Sequence, residues 1–237
     1  AVGFDLYTRL LAEAVNQRKA HAESGVSPAP SPAATPETTV QLPLTAYLPE
    51  DYVSQVEESR TSLSSVVVYL GLERDLRAEG WPHHELLLMP SYDIEGQYQA
   101  ALRGDVARNS IFITHYTQHD PGAAPEGCSV VSLFLSAPWG YEDTWGTGGN
   151  LEGYSTNERY LELKRRVGDA VIARAEEALP GLRQAAVHLE VATPLTNWRY
   201  SRNTEGAIYG SDQTMENTYA ARLSELTPID NLFLTWA

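Results

Sequence analysis

A chain of 237 residues, 43% of them apolar, is long enough to bury a core and fits one large domain or one domain plus appendages. A mean hydropathy of −0.31 and the lack of an apolar run approaching ~18 residues argue against a membrane-spanning helix. A net charge of −14 speaks against a nucleic-acid partner and against docking on anionic lipid, and the single Cys128 excludes an internal disulfide. The first residues carry neither a basic start nor a small-residue cleavage site, so no secretory signal is read in them.

In chain order, Phe4, Leu6, Leu10, Leu11, Ala14 and Val15 predict an amphipathic helix within residues 1–25. Residues 26–46 are rich in Pro, Ala, Ser and Thr and read as an extended linker. A helix is expected over 49–60, with Pro49 at its first position and Glu50 and Asp51 in its first turn. The β-branched run 65–72 predicts a buried strand, and 85–89, 110–116, 128–136 and 185–193 predict four more. A helix is expected over 94–103, ended by Gly104. The clearest helix is 156–179, where Tyr160, Leu163, Val167, Val171, Ala175 and Leu179 keep helical spacing, Ser155 or Thr156 can cap, and Pro180-Gly181 stops the run. The fold class is α+β: a mixed or antiparallel sheet backed by helices. Val66, Val68, Leu70 and Leu133 are assigned to its core rather than to a ligand channel.

Few residues announce chemistry. His83, His84, His115 and His119 are close in sequence, but the strand between them supplies no metal-ligand spacing, and surface or loop histidines are expected; no metal is assigned. Gly146-Thr147-Gly148-Gly149 lacks a preceding strand and a following Lys, and reads as a flexible turn rather than a phosphate loop. Cys128 reads as a quiet thiol at a strand start. Catalytic residues are not identified. Residues 193–214 stand out, rich in aromatics, glycines and hydroxyls. Gly206 and Gly210 bracket Ala207-Ile208-Tyr209, which suits either close approach of a flat group or an ordinary loop with two turn glycines. The last residues, 227–237, read as a turn followed by an apolar strand with no closing turn. They suggest a piece of a larger protein.

Five blocks in order carry a family resemblance. They are Ser62-Leu63-Ser64-Ser65 with Val68 to Leu72; Asp120-Pro121 with Ala124 to Gly127; Thr193-Pro194-Leu195-Thr196 with Arg199-Tyr200; Gly206 to Gly210 with Gln213-Thr214; and Thr227-Pro228-Ile229 with Asn231 to Leu234. Over residues 47–237 the chain resembles the flavin-dependent phytoene desaturase, carotenoid isomerase and retinol saturase family. The resemblance implies a substrate-binding domain at 47–226 and the start of a flavin-domain strand at 227–237, the dinucleotide-binding domain of the same parent protein lying outside the chain. It implies FAD in that parent, held weakly or not at all by this part, and a long apolar polyene as substrate. It places Gly206, Tyr209, Gly210 and Gln213 near the cofactor, and Arg199, Tyr200 and Tyr209 near the substrate. A cytoplasmic or peripheral membrane location follows, because the substrate lives in lipid. Two alternatives stay open: an amine-oxidase-like flavoprotein with another substrate, and a non-catalytic domain that binds an apolar ligand.

Overall fold

The structure, a computed structural model, describes residues 49–215, 217, 222–229 and 231–233. The helix and linker expected before residue 47 lie outside the described residues. Among these the elements are α1 (Glu50–Glu58), β1 (Ser64–Leu72), β2 (Glu85–Leu88), α2 (Ile94–Arg103), β3 (Ile111–His115), β4 (Ser129–Ala137), α3 (Tyr141–Gly146), α4 (Glu158–Ala175), α5 (Leu182–Ala185), β5 (Ala186–Ala192) and α6 (Pro194–Ser201). All five strands join one sheet in the order β2-β3-β4-β1-β5, and every neighbouring pair is antiparallel. The α+β expectation therefore holds, in its antiparallel form.

Period-two alternation divides the sheet into two faces. One face carries Val66, Val68, Leu70 and Leu72 of β1, Ile111 and Ile113 of β3, and Val131, Leu133 and Leu135 of β4, all at most 2% exposed. This is the core, as assigned to Val66, Val68, Leu70 and Leu133. It packs against α4, whose Tyr160, Leu163, Val167, Val171, Ile172 and Ala175 are buried at helical spacing. Gly168 lets α4 lie close over β5, since a Cβ there would stand 2.6 Å from Val191 Cγ2. The cap of α4 differs from expectation. The chain before it forms a 3-10 turn (Tyr154–Thr156), and Asn157 caps the helix, its side chain accepting from the Tyr160 N–H. At α2 the expected end holds: Gly104 takes a left-handed conformation, φ 69°, and Asp93 caps the start.

Between β4 and α4 the chain does something the sequence does not advertise. Glu142, Asp143, Thr144 and Trp145 all have positive φ, from 40° to 60°, and Gly146 follows at 77°. Side chains other than Gly cost roughly 1–2 kcal/mol each in this region. Trp145 offsets part of that: its ring is 1% exposed and its indole N–H donates to the Pro138 carbonyl at 3.1 Å. Gly146 and Thr147, read as part of a flexible turn, are buried instead. Further along the chain Leu226 bridges Phe233, and Thr227 Oγ1 donates to the Leu232 carbonyl at 2.8 Å. The apolar run expected as a strand there continues into residues outside the described set.

Candidate functional site

The conspicuous blocks of the sequence meet at one end of the sheet, where β1 begins. Thr193 ends β5 and opens α6 with a capping box, its backbone N–H donating to Thr196 Oγ1 at 3.1 Å. Thr193 is fully buried, and its hydroxyl lies 2.9 Å from the Tyr160 hydroxyl on α4. Tyr154 donates to the Leu195 carbonyl at 3.1 Å, and burial pushes its phenol pKa up from the ordinary value. So the Thr-Pro-Leu-Thr stretch forms a helix pinned from beneath by two tyrosines. The sequence reading assigned no helix to this stretch, because α6 is short, begins with a Thr-Pro turn signal and has little amphipathic pattern.

From α6, Asn197 reaches back to β1. Its side-chain amide nitrogen donates to Ser64 Oγ (3.1 Å), Ser65 Oγ (3.0 Å) and the Ser65 carbonyl (3.2 Å). Ser64 in turn donates to the Gly206 carbonyl at 2.5 Å. The 206–210 segment then lies beside residues 61–63: Ile208 N–H donates to the Leu63 carbonyl, Ser62 N–H to the Gly210 carbonyl, and Tyr209 N–H to Ser62 Oγ. Three of the five blocks are thereby one hydrogen-bonded knot. Sequence reading found the blocks but missed Asn197 and the serines as its links.

The site residues expected from the resemblance fall into two sets. Gly206 and Gly210 have φ of 62° and 69° and belong to the knot. The close approach at Gly206 is to the chain itself: a Cβ there would stand 2.3 Å from the Pro194 carbonyl oxygen. Arg199, Tyr200, Tyr209 and Gln213 are exposed around it, Tyr200 at 63% and Tyr209 at 60%, with the Arg199 guanidinium 5.7 Å from the Tyr200 ring centre.

Next to the knot lies the sheet face opposite the core. Leu87, Phe112, Phe134 and Val67 stand side by side across β2, β3, β4 and β1, directly paired at each step. Leu87 is 42% exposed and the other three are half-buried, whereas the core face is sealed. A polar row runs alongside: Glu85, Thr114, Ser132, Tyr69 and Glu190. The sequence signal was present, since strands apolar on both faces are strands covered on both faces.

The histidines do not form a ligand set; among the described residues no group of three or more His, Cys, Asp or Glu could hold a metal ion. His84 and His119 stack with ring centres 4.5 Å apart. His115, expected on the surface or in a loop, is 1% exposed at the end of β3, because its position points to the core face. Among the described residues neither ring nitrogen has a hydrogen-bond partner, and desolvation lowers its pKa from the ordinary value. Cys128 is half-buried just before β4.

Comparison with known proteins adds the decisive observation. No family model matches the chain. Two chloroplastic prolycopene isomerases from an Oncidium hybrid cultivar are each 37% identical over 109 residues, which is 46% of this chain and 17% of theirs. An all-trans-retinol 13,14-reductase from Danio rerio is 24% identical over 183 residues, 73% of this chain and 30% of that protein. The chain is similar to the carotenoid and retinoid oxidoreductase family. It spans less than a third of the length of these relatives.

The described residues do not by themselves fit the family's flavin nucleotide. A pyrophosphate needs a glycine turn between a strand and an outward-facing helix N-terminus. Here the sheet is antiparallel throughout, the space at Gly206 is taken by Pro194, and that at Gly146 by the Arg159 side chain. No redox step is assigned to these residues. Nor is a ligand enclosed by the cavity lined by Val66, Leu135, Tyr141, Trp145 and Val167: it holds ≈ 10 Å³, where ligand pockets run to about 300–1,000 Å³. No described helix is long and apolar enough to cross a membrane.

Proposed function

We propose that this chain is the substrate-side part of an FAD-dependent oxidoreductase that desaturates, saturates or isomerises a long apolar polyene, a carotenoid or retinoid. The single observation that carries the reading is the open apolar row Leu87-Phe112-Phe134-Val67 beside the knot that presents Tyr209. Three interstrand spacings give it a length of about 14 Å, enough to seat several conjugated double bonds of an extended chain. The relatives named above act on prolycopene and on retinol by their names, which supports the substrate class.

In this reading FAD and its nucleotide-binding fold come from other parts of the parent protein, and the polyene is sandwiched between that domain and the sheet face. The protein side contributes orientation and exclusion of water. Tyr209, Gln213, Arg199 and Tyr200, exposed around the knot, are the side chains this reading assigns to cofactor and substrate contact. Peripheral contact with a membrane would deliver the substrate.

The test uses the parent protein. Its flavin absorbance is recorded and conversion of carotenoid and retinoid substrates is followed by chromatography, for wild type and Tyr209→Ala. Tyr209 is 60% exposed, so the substitution should change stability by no more than ~0.5 kcal/mol while turnover falls about tenfold or more. Equal loss of folding and turnover makes Tyr209 structural. Amine turnover without polyene turnover selects the amine-oxidase-like alternative, and polyene binding without flavin selects a carrier.

A further inference from the structure

The strand at the sheet's edge is self-complementary, and we infer that β5 pairs with β5 of a second copy of this chain. Its sequence is Ala186-Val187-His188-Leu189-Glu190-Val191-Ala192. Read from either end about Leu189 the order of side chains is the same, except that His188 and Glu190 exchange places. An antiparallel pair of such strands, related by a two-fold axis through Leu189, sets Leu189 opposite Leu189. It also sets His188 opposite the partner's Glu190, twice. An imidazole and a carboxylate directly across an antiparallel pair can share a hydrogen bond, whereas like charges there repel. A two-fold axis perpendicular to a sheet passes between directly opposed residues, so this register satisfies isologous pairing.

The structure leaves the edge available. Among the described residues β5 pairs with β1 alone and ends the sheet. Val187 is 68% and Leu189 43% exposed, and His188 and Glu190 are exposed as well. An exposed edge of this length with apolar residues invites a partner unless it is blunted. The register against β1 is unbroken from His188 to Ala192, which holds the Leu189 pair and both His188–Glu190 pairs; Val187 is the extra residue of a bulge between the Gly71–His188 and Leu72–Ala186 pairs.

The pairing has a consequence for the face already described. His188 and Glu190 lie opposite Gly71 and Tyr69 of β1, on the open side of the sheet. Joining two copies makes a ten-stranded sheet whose open faces form one continuous surface, with the His188–Glu190 pairs at its centre. Leu189 meets its counterpart on the other side.

The test is sedimentation of the 237-residue chain over a concentration series, with amide hydrogen exchange read at residues 187–190. Concentration-dependent dimerisation is expected, with exchange at these amides slowing as the dimer fills. His188→Glu sets two carboxylates opposite each other at both ends of the axis and should raise the dimer dissociation constant about tenfold or more. The double variant His188→Glu/Glu190→Lys removes the like-charge clash by setting opposite charges across the axis, and should return it towards the wild-type value. Both positions are exposed, and circular dichroism checks that each variant keeps its fold. A monomer at every concentration overturns the inference. So does a dimer whose strength ignores His188→Glu, or protection of these amides that persists at all dilutions, which would place a strand of the same chain on the edge.

Discussion

Gly206→Ala puts the knot to a quantitative test. Two penalties act there and can be separated. The φ of 62° at Gly206 charges any L side chain roughly 1–2 kcal/mol. The added Cβ would also meet the Pro194 oxygen at 2.3 Å, the Trp198 nitrogen at 3.1 Å and the Pro194 carbonyl carbon at 3.2 Å. All three are backbone atoms of α6, which cannot swing aside as a flexible side chain would, and forcing them apart adds about 1–3 kcal/mol. The sum is about 2–5 kcal/mol, or a melting temperature lower by roughly 4–20 °C for a domain of this size. Gly127→Ala is the control, because φ there is 78° and nothing lies within 4 Å of the added carbon. It should lose only the conformational part. Thermal melts of both variants, followed by circular dichroism, read the difference. Equal destabilisation of the two would refute the claim that the 206–210 segment is seated on α6.

Two further outcomes are expected. Asn197→Ala strips three acceptors on Ser64 and Ser65 of their donor and should cost about 1–3 kcal/mol by chemical denaturation, while Ser201→Ala, on the exposed end of the same helix, should cost far less. Stability should also fall in mild acid: His115 is held neutral by burial, so its folded pKa lies below the unfolded one, near 6.5, and the unfolded chain binds the extra proton. The contribution is complete above about pH 6.5 and is lost as pH falls below it, by up to about 1.4 kcal/mol per pH unit. His115→Leu should flatten that part of the pH–stability profile; a profile unchanged by the substitution would show that other groups set it.

The strands were legible because β-branched and aromatic runs of this length have few alternatives, and each was placed within a residue or two of its observed ends. The end of α2 at Gly104 was legible for the same kind of reason: a left-handed cap wants glycine, and glycine was there. What escaped the sequence depends on partners far along the chain. α6 is helical because Tyr160 and Asn197 fasten it to α4 and β1, and no local periodicity reports that. The left-handed run at Glu142–Trp145 uses residues with no preference for positive φ, so only the packing of Trp145 betrays it. At the candidate site, the motif blocks were legible as a resemblance, but not the fact that their serines and glycine mostly hold one another, with Arg199, Tyr200, Tyr209 and Gln213 left exposed around them.

The order of the strands carries a burden for synthesis. β2, β3 and β4 follow one another as neighbours and can pair as they emerge, but β1 sits between β4 and β5, the last two strands to be made. More than a hundred residues separate the end of β1 from the end of β5. At about 5–20 residues per second, a ribosome needs roughly 5 to 20 s to deliver them. Throughout that interval a strand with four buried aliphatic side chains has an unfilled flank, which makes a nascent chain of this fold a natural client for a holding chaperone.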